Sequence, residues 1–302
     1  MPRTSTGLRT DPTTRLAELE RQRPEWSAWL RLLGAVEAAV ETQQPEIGAR
    51  PPVRCEAGVR SSDAPLLHGC TVTVDLSFIQ RLIGRLIDAA SSGDLEGGAS
   101  LRGYRPEADE VLRLLEAAVR QNREVLDGAA AAQRLDAGAL ASVIHLAALP
   151  LLRASGQEMA DQIPRYWPHG YCPVCGAWPV LAERRGLDRS RQLRCGRCAS
   201  EWEMEWLTCV YCGERNHQRL GSLVCGDRDE MLKVETCASC RGYLKSIATL
   251  QAIPSSELLL RDLETVELDL IALERGYGRP EKSAVLMESR IASVKWGKGG
   301  QS

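Results

Sequence analysis

The sequence predicts a multi-domain α+β chain: an N-terminal helical bundle, then two tandem ribbon-like metal modules, then a C-terminal helix. Three observations carry this. Apolar residues recur at helical spacing from residue 11 to 168. The pattern changes at Pro168, after which short alternating segments, glycines and CxxC pairs run to about Leu250. Nine of the 11 cysteines fall between Cys172 and Cys240. The expected division is 1–168 for the helical domain, 169–206 and 207–250 for the two modules, and 251–302 for the last helix and a mobile tail.

The chain has 302 residues, which as a soft prior suggests about two domains. With 38 Lys+Arg against 40 Asp+Glu the formal net charge is −2, without the basic excess of a protein that coats nucleic acid. Hydrophobic residues make up 44%, enough for a packed core, and this composition excludes collagen, wholesale disorder and a small disulfide knot. Met1 to Thr10 is polar, unlike a signal peptide. The longest apolar run, Ala139 to Leu152, is 14 residues, shorter than the roughly 20 that a membrane span needs. A core helix and a reducing, cytoplasmic compartment are therefore expected. In that setting paired cysteines serve as metal ligands or redox centres rather than structural disulfides.

Asp11-Pro12 has the form of an N-cap with proline at the first helical position, and this helix should stop before Pro24. A second helix follows with Trp26, Trp29, Leu30, Leu33, Val36 and Val40 on one apolar face, the tryptophans in the core. Residues 43–70 are rich in Pro, Gly and Ser and read as loop. Asp75 can cap a third helix carrying Leu76, Ile79, Ile83, Leu86, Ile87 and Ala90. Pro106 opens a fourth, with Val111, Leu112, Leu115, Ala118, Val119 and Leu126. A fifth spans about Ala137 to Met159 with a kink expected at Pro150. After the cysteine-rich stretch, Pro254-Ser255-Ser256 can start a helix with Leu259, Leu263, Val266, Leu270 and Leu273 on its apolar face, ended by Gly276 and Gly278-Arg279-Pro280.

The cysteines form four CxxC pairs: Cys172/Cys175, Cys195/Cys198, Cys209/Cys212 and Cys237/Cys240. Nineteen residues separate the first two pairs and 24 the last two, a knuckle–hairpin–knuckle spacing. A CxxC turn sets two sulfurs on one side of a tight loop, and a second turn brought alongside by a hairpin completes a tetrahedron. Val180–Arg185 and Arg191–Arg194 can form one hairpin, Leu220–Val224 and Met231–Glu235 the other, so the unit is repeated. Gly176 and Gly213 follow the first pair of each unit, where a left-handed residue closes the knuckle. Consecutive pairing gives the sets 172/175/195/198 and 209/212/237/240, and an interleaved arrangement is the alternative. A closed four-cysteine site has no open coordination position for catalysis, so its metal is structural or electron-transferring; zinc and iron both accept four thiolates.

Other candidates are weaker. Cys55, Cys70 and Cys225 read as spare thiols, His145 as a core histidine, and His169 and His217 as solvent histidines beside knuckles. Glu201 to Trp206 alternates, which as a strand puts Trp202, Met204 and Trp206 on one face for packing between the ribbons. Arg184, Arg185, Arg189, Arg191, Arg194 and Arg197 make the first hairpin basic, the one feature that favours nucleic acid.

Taken together, Cys172-Pro-Val-Cys175-Gly176, Leu193, Cys195-x-x-Cys198, Glu201-Trp202, Cys209-x-x-Cys212, Glu235-x-Cys237-x-x-Cys240 and Tyr243-Leu244-Lys245 resemble the FdhE family of formate dehydrogenase accessory proteins. The likeness continues through Asp262-Leu263-Glu264-Thr265 and Leu268-Asp269 and, more loosely, over Arg9 to Glu41. The resemblance implies two rubredoxin-like modules and iron at the eight CxxC cysteines, with zinc as the other occupant. It also implies a cytoplasmic, non-enzymatic partner of the catalytic subunit of an exported formate dehydrogenase, acting before translocation. Trp202 and Tyr243 match motif positions without an assigned role. The competing functions are an iron electron carrier and a nucleic-acid-binding zinc ribbon.

Overall fold

The computed structural model describes residues 12–47, 53–55, 61–93, 95–225 and 228–294. It is an α+β protein, with the helices in the first half and two ribbon-like modules on one sheet in the second. The helices are α1 (Pro12–Gln22), α2 (Ser27–Ile47), α3 (Leu76–Ser92), α4 (Ala108–Arg120), α5 (Arg123–Gln133) and α6 (Ala137–Glu158). Proline opens α1 as expected; Asp11 lies outside the described residues. Asp75 caps α3 by accepting from the Phe78 amide at 3.0 Å, and Asp136 caps α6 by accepting from Ala139 at 2.8 Å.

The α6 helix is the axis of this half. It packs on α2, α3, α4 and α5 and buries Leu140, Val143, Ile144, Ala147, Leu151 and Leu152. It is long and apolar enough to cross a membrane by composition, but it is mostly buried inside the protein. A buried ion pair ties it to α2, with Arg153 donating to Glu37 at 2.7 Å.

Several expectations fail here, each for a local reason. The fourth helix is two, because Gln121 turns left-handed (φ 59°) and Asn122 caps α5 by accepting from the Val125 amide. In α2 Leu30, Leu33 and Val36 of the expected face are buried and Val40 is partly buried, as is Trp26 just ahead of the helix, but Trp29 is 40% exposed rather than in the core. Residues 43–70 are not all loop. The α2 helix runs on to Ile47, and Val53–Cys55 (β1) pairs antiparallel with Cys70–Asp75 (β2). Across that pair Cys55 and Cys70 form a disulfide, so they are not spare thiols. Nor is the whole C-terminal stretch a mobile tail. Arg290–Val294 (β9) pairs in parallel with β2, completing a three-stranded sheet.

The second half contains Leu181–Arg185 (β3), Ser190–Arg194 (β4), Glu201–Glu203 (β5), Leu220–Cys225 (β6), Arg228–Cys237 (β7) and Tyr243–Thr249 (β8). Both expected hairpins form, as β3–β4 and β6–β7. They are joined because β8 pairs antiparallel with β7 and parallel with β3, giving one six-stranded sheet in the order β5-β4-β3-β8-β7-β6. The Glu201–Trp206 strand ends at Glu203. Trp202 is buried, but Trp206 is 45% exposed rather than packed. The turn at 226–227 and the Cys225 side chain lie outside the described residues.

The last helix is also broken, into Leu258–Glu264 (α7) and Val266–Glu274 (α8). Thr265 stands at the break and its hydroxyl donates back to the Arg261 and Asp262 carbonyls. The buried residues are Leu258, Leu260, Leu268 and Ala272, while Leu270 and Leu273 of the expected face are exposed.

Candidate metal centres

The four CxxC pairs all turn through a left-handed residue, and three of them share one closing bond. The amide two residues past the second cysteine's predecessor closes onto the first: Gly176 donates to the Cys172 carbonyl, Ala199 to Cys195 and Gly213 to Cys209, at 2.9–3.1 Å. The residue after the second cysteine is left-handed each time: Gly176 (φ 67°), Ala199 (61°), Gly213 (72°) and Arg241 (58°). The glycines were legible in sequence. Ala199 and Arg241 take the same conformation without being glycine, held by flanking bonds from Cys195 N to Ser200 O and Cys237 N to Gly242 O, both 3.0 Å. Amides also face sulfur: Val174 N lies 3.4 Å from Cys172 Sγ, and Cys198 N lies 3.5 Å from Cys195 Sγ.

The structure gathers Cys172, Cys175, Cys195 and Cys198 into one group, and Cys209, Cys212, Cys237 and Cys240 into another. Within each group all four sulfurs lie within 4.8 Å of one another. This is the consecutive pairing. The closest approaches are 3.4 Å (Cys172–Cys198 and Cys175–Cys195) in the first and 3.6 and 3.7 Å (Cys209–Cys240 and Cys212–Cys237) in the second. A tetrahedron with metal–sulfur bonds of about 2.3 Å has edges of about 3.8 Å. The eight cysteines are free thiols, and each group could hold a metal ion.

The two centres differ in surroundings. The first is wholly buried, and its sulfurs belong to the same apolar core as the helices. Burial pushes the Cys172 and Cys198 thiols up, as it must where several charges would otherwise share one dry site. The α6 helix touches the knuckle so closely at Gly156 that an added Cβ would lie 2.3 Å from the Cys198 carbonyl oxygen. The segment before β2 lies on the other knuckle, with Leu66 N donating to Pro173 O (2.7 Å) and Leu67 N to Val174 O (3.0 Å). Gln121 donates to Cys175 O, and Arg197 reaches the Ala118 carbonyl at the end of α4. In the second centre Cys212 and Cys240 are exposed.

The modules meet at Gly170, where a Cβ would come within 1.8 Å of Val210 O, and through the edge-on ring contact Trp178–Tyr211. His169 is not a plain solvent residue: its ring stacks on Tyr171 and its Nε2 lies 3.3 Å from Asp63. His217 is exposed. His145 is largely enclosed, and burial with Arg197 nearby lowers its pKa to about 4, so it is neutral near pH 7.

The two unassigned motif residues are structural. Trp202 is buried beside the first centre and donates from Nε1 to His169 O at 3.3 Å. Tyr243 donates to Asp269 Oδ1 at 2.7 Å and accepts at its carbonyl from Tyr211. Asp269 belongs to a cluster that sequence reasoning missed. Lys245 is fully buried, its ammonium 2.5 Å from Asp262 Oδ1 and 2.7 Å from Asp269 Oδ2; Arg279 closes the group at 3.2 and 3.0 Å from the same carboxylates. The pattern in sequence that could have flagged it is a lysine inside a buried strand, which requires a partner.

The basic hairpin is not a basic surface. Arg184, Arg191 and Arg194 are buried. Arg194 pairs with Glu183 and donates to Ile253 O; Arg191 pairs with Glu235 and donates to the Glu205 and Thr208 carbonyls; Arg184 donates to Met231 O.

A helical body joined to two four-cysteine ribbons on a shared sheet defines a class of metal-module protein. Within that class the chain is similar to FdhE proteins. Residues 193–286 match the family described as FdhE, C-terminal domain. Among curated relatives, an FdhE homologue of Stutzerimonas stutzeri is 37% identical over 118 residues, 38% of either chain. One of Shewanella baltica is 30% identical over 152 residues, 49% of this chain and 46% of that one. The FdhE protein of Escherichia coli is 34% identical over 114 residues, 36% of this chain and 35% of that one. The matched stretch thus spans less than half of these relatives' length. The fold is that of the crystal structure of the FdhE protein from Pseudomonas aeruginosa, with a TM-score of 0.55 and 22% identity over 92% of this chain and 94% of the other. Over the matched stretch the family model and the curated relatives agree on a resemblance to FdhE proteins.

Proposed function

We propose that this chain is an accessory protein for formate dehydrogenase, with no catalytic turnover of its own. It would bind the catalytic subunit of that enzyme in the cytoplasm before export. The observation that carries the reading is the pair of closed four-thiol centres whose hairpins share one sheet, the first centre being set in the core of the helices. Such centres use every coordination position on protein sulfur and so favour a rigid docking body over a reaction site. The eight cysteines would hold two mononuclear ions, iron by family resemblance or zinc. Closed tetrathiolate iron supplies one-electron chemistry, and zinc supplies fold stability.

Co-purification of the catalytic subunit with tagged protein tests the reading. Failure of that pair to form, together with undiminished formate dehydrogenase activity in a deletion strain, refutes it. A second reading, electron transfer, is favoured by the exposed Cys212 and Cys240 at the second centre. It requires a visible absorption that bleaches and recovers with redox cycling; a colourless zinc protein excludes it. The burial of Arg184, Arg191 and Arg194 weighs against nucleic-acid binding, since buried, internally paired guanidinium groups do not reach phosphate.

A further inference from the structure

The first centre has two covers on the helical side, and they differ in kind. Over the Cys195/Cys198 knuckle lies α6, a 22-residue core helix. Over the Cys172/Cys175 knuckle lies the segment 61–69, which holds turns but no helix or strand. Leu66 N and Leu67 N hold it to the Pro173 and Val174 carbonyls, the two residues between the cysteines. Pro65 closes on the next position, since a Cβ added at Gly176 would lie 3.1 Å from Pro65 Cγ. Tyr171 donates from its hydroxyl to Asp63 O at 2.8 Å, and Ser289 donates to Leu67 O at 2.7 Å. The segment is thus a strap fastened by a handful of bonds, and of the two covers it is the one that opens at lower cost.

The Cys55–Cys70 bridge ends this strap, closing a loop with a sequence separation of 15. Cys70 is 1% exposed, but Cys55 is half-buried on a strand at the edge of its sheet, so the bridge is approached from the Cys55 side. That strand, β1, is three residues long and has β2 as its one strand partner among the described residues. Cutting the bridge therefore frees one end of the loop. The reduced state is also provided for. Cys70 Sγ lies 3.2 Å from Leu66 O and 3.7 Å from His68 O. A cystine sulfur has no hydrogen to offer these carbonyls, whereas a thiol has one. The first of them belongs to the residue whose amide holds Pro173. In the reducing compartment proposed above, a cystine is typically a transient or sensing bond. That compartment belongs to the accessory reading; the bonds of the strap do not depend on it.

We propose that the Cys55–Cys70 cystine is a redox-reversible clasp on the first metal centre. Oxidised, it holds the strap on the Cys172/Cys175 knuckle and retains the metal. Reduced by a dithiol, it lets the strap lift and the metal exchange. A thiolate of the dithiol attacks the Cys55 sulfur, the S–S bond breaks, and Cys70 leaves and takes up a proton. The second thiolate of the reductant displaces Cys55, which is protonated in turn. Two electrons pass to the cystine, and the reductant ends as its own disulfide.

The test is zinc release to excess EDTA from the full zinc-loaded chain, oxidised or treated with the phosphine TCEP, which cuts cystine without offering the metal a thiol. Cys212→Ser assigns the phases by abolishing the fast one. Reduction should speed the slow phase about tenfold or more, the factor that loss of one or two net hydrogen bonds gives, and leave the fast phase alone. Reoxidation with a small disulfide should restore the slow rate. Cys55→Ala/Cys70→Ala should release at the reduced rate with or without TCEP. Tyr171→Phe, which loosens the strap but keeps the bridge, should speed the slow phase in oxidised protein. Lys245→Met lowers stability without touching the strap and should leave the slow phase unchanged. An unaltered slow phase on reduction or in Tyr171→Phe would overturn the proposal. So would a double cysteine variant as slow as oxidised wild type, or acceleration by Lys245→Met as large as that by reduction, which would mark general loss of stability. Each of these readings is independent of whether the catalytic subunit co-purifies.

Discussion

Replacing Lys245 by methionine removes a fully buried ammonium from the six-stranded sheet while keeping its stem. Its charge faces two carboxylates, at 2.5 Å from Asp262 and 2.7 Å from Asp269. Breaking a buried ion pair by deleting one partner typically costs about 3–5 kcal/mol, because the other charge is stranded. Here the loss is smaller. Both carboxylates keep Arg279, Asp269 keeps the Tyr243 hydroxyl, and their side chains are 29% and 19% exposed. The expected destabilisation is about 2–4 kcal/mol, a large part of the roughly 5–15 kcal/mol that holds a domain folded. Urea unfolding of metal-loaded protein measures it. The companion Lys245→Met/Asp269→Asn should recover part of the loss, since it removes the stranded charge. A change below about 0.5 kcal/mol, or losses that simply add in the double variant, would refute the reasoning.

Four other outcomes follow from the same structure. Asp269 is held below the usual carboxylate range: burial pushes it up, but Lys245, the Tyr243 hydroxyl and Arg279 outweigh that. Its contribution to stability is therefore present above the unfolded value near 3.8 and is lost as pH falls through the lower folded value, so Asp269→Asn should flatten the acid limb of a stability–pH curve. Gly170→Ala, whose Cβ would lie 1.8 Å from Val210 O, should cost about 1–3 kcal/mol and be read as a lower melting temperature. A chelator should strip the second centre, with its exposed Cys212 and Cys240, before the buried first one, giving two phases in metal release. Non-reducing alkylation and mass spectrometry should find Cys55 and Cys70 unlabelled, and Cys55→Ser should cost about 3 kcal/mol for a loop of 15 residues.

What the sequence reveals is what repeats locally. The CxxC pairs, their grouping, both hairpins, the Asp75 cap and the path of α6 are carried by spacing and by neighbours within a few residues. What it hides depends on distant partners. Arg191 and Arg194 look like a basic surface until Glu235 and the Ile253 carbonyl, from remote segments, are brought against them. Residues 290–294 carry no strong alternation, and only their pairing with β2 makes them a strand. Lys245 sits in an ordinary-looking motif, and its burial follows from α7 and α8 folding back over β8. Cys55 and Cys70 look like spare thiols in and beside a loop-rich stretch, because only the pairing of β1 with β2 sets them opposite each other.

The pairing of β2 with β9 also bears on the order of events during synthesis. A ribosome releases the helices first, yet their small sheet waits for a strand more than 200 residues downstream, and their core waits for the sulfurs of Cys172 to Cys198. Contacts of such long separation form slowly. The nascent helical half therefore keeps an apolar flank uncovered until the Cys172–Cys198 module, and at the last β9, has been made.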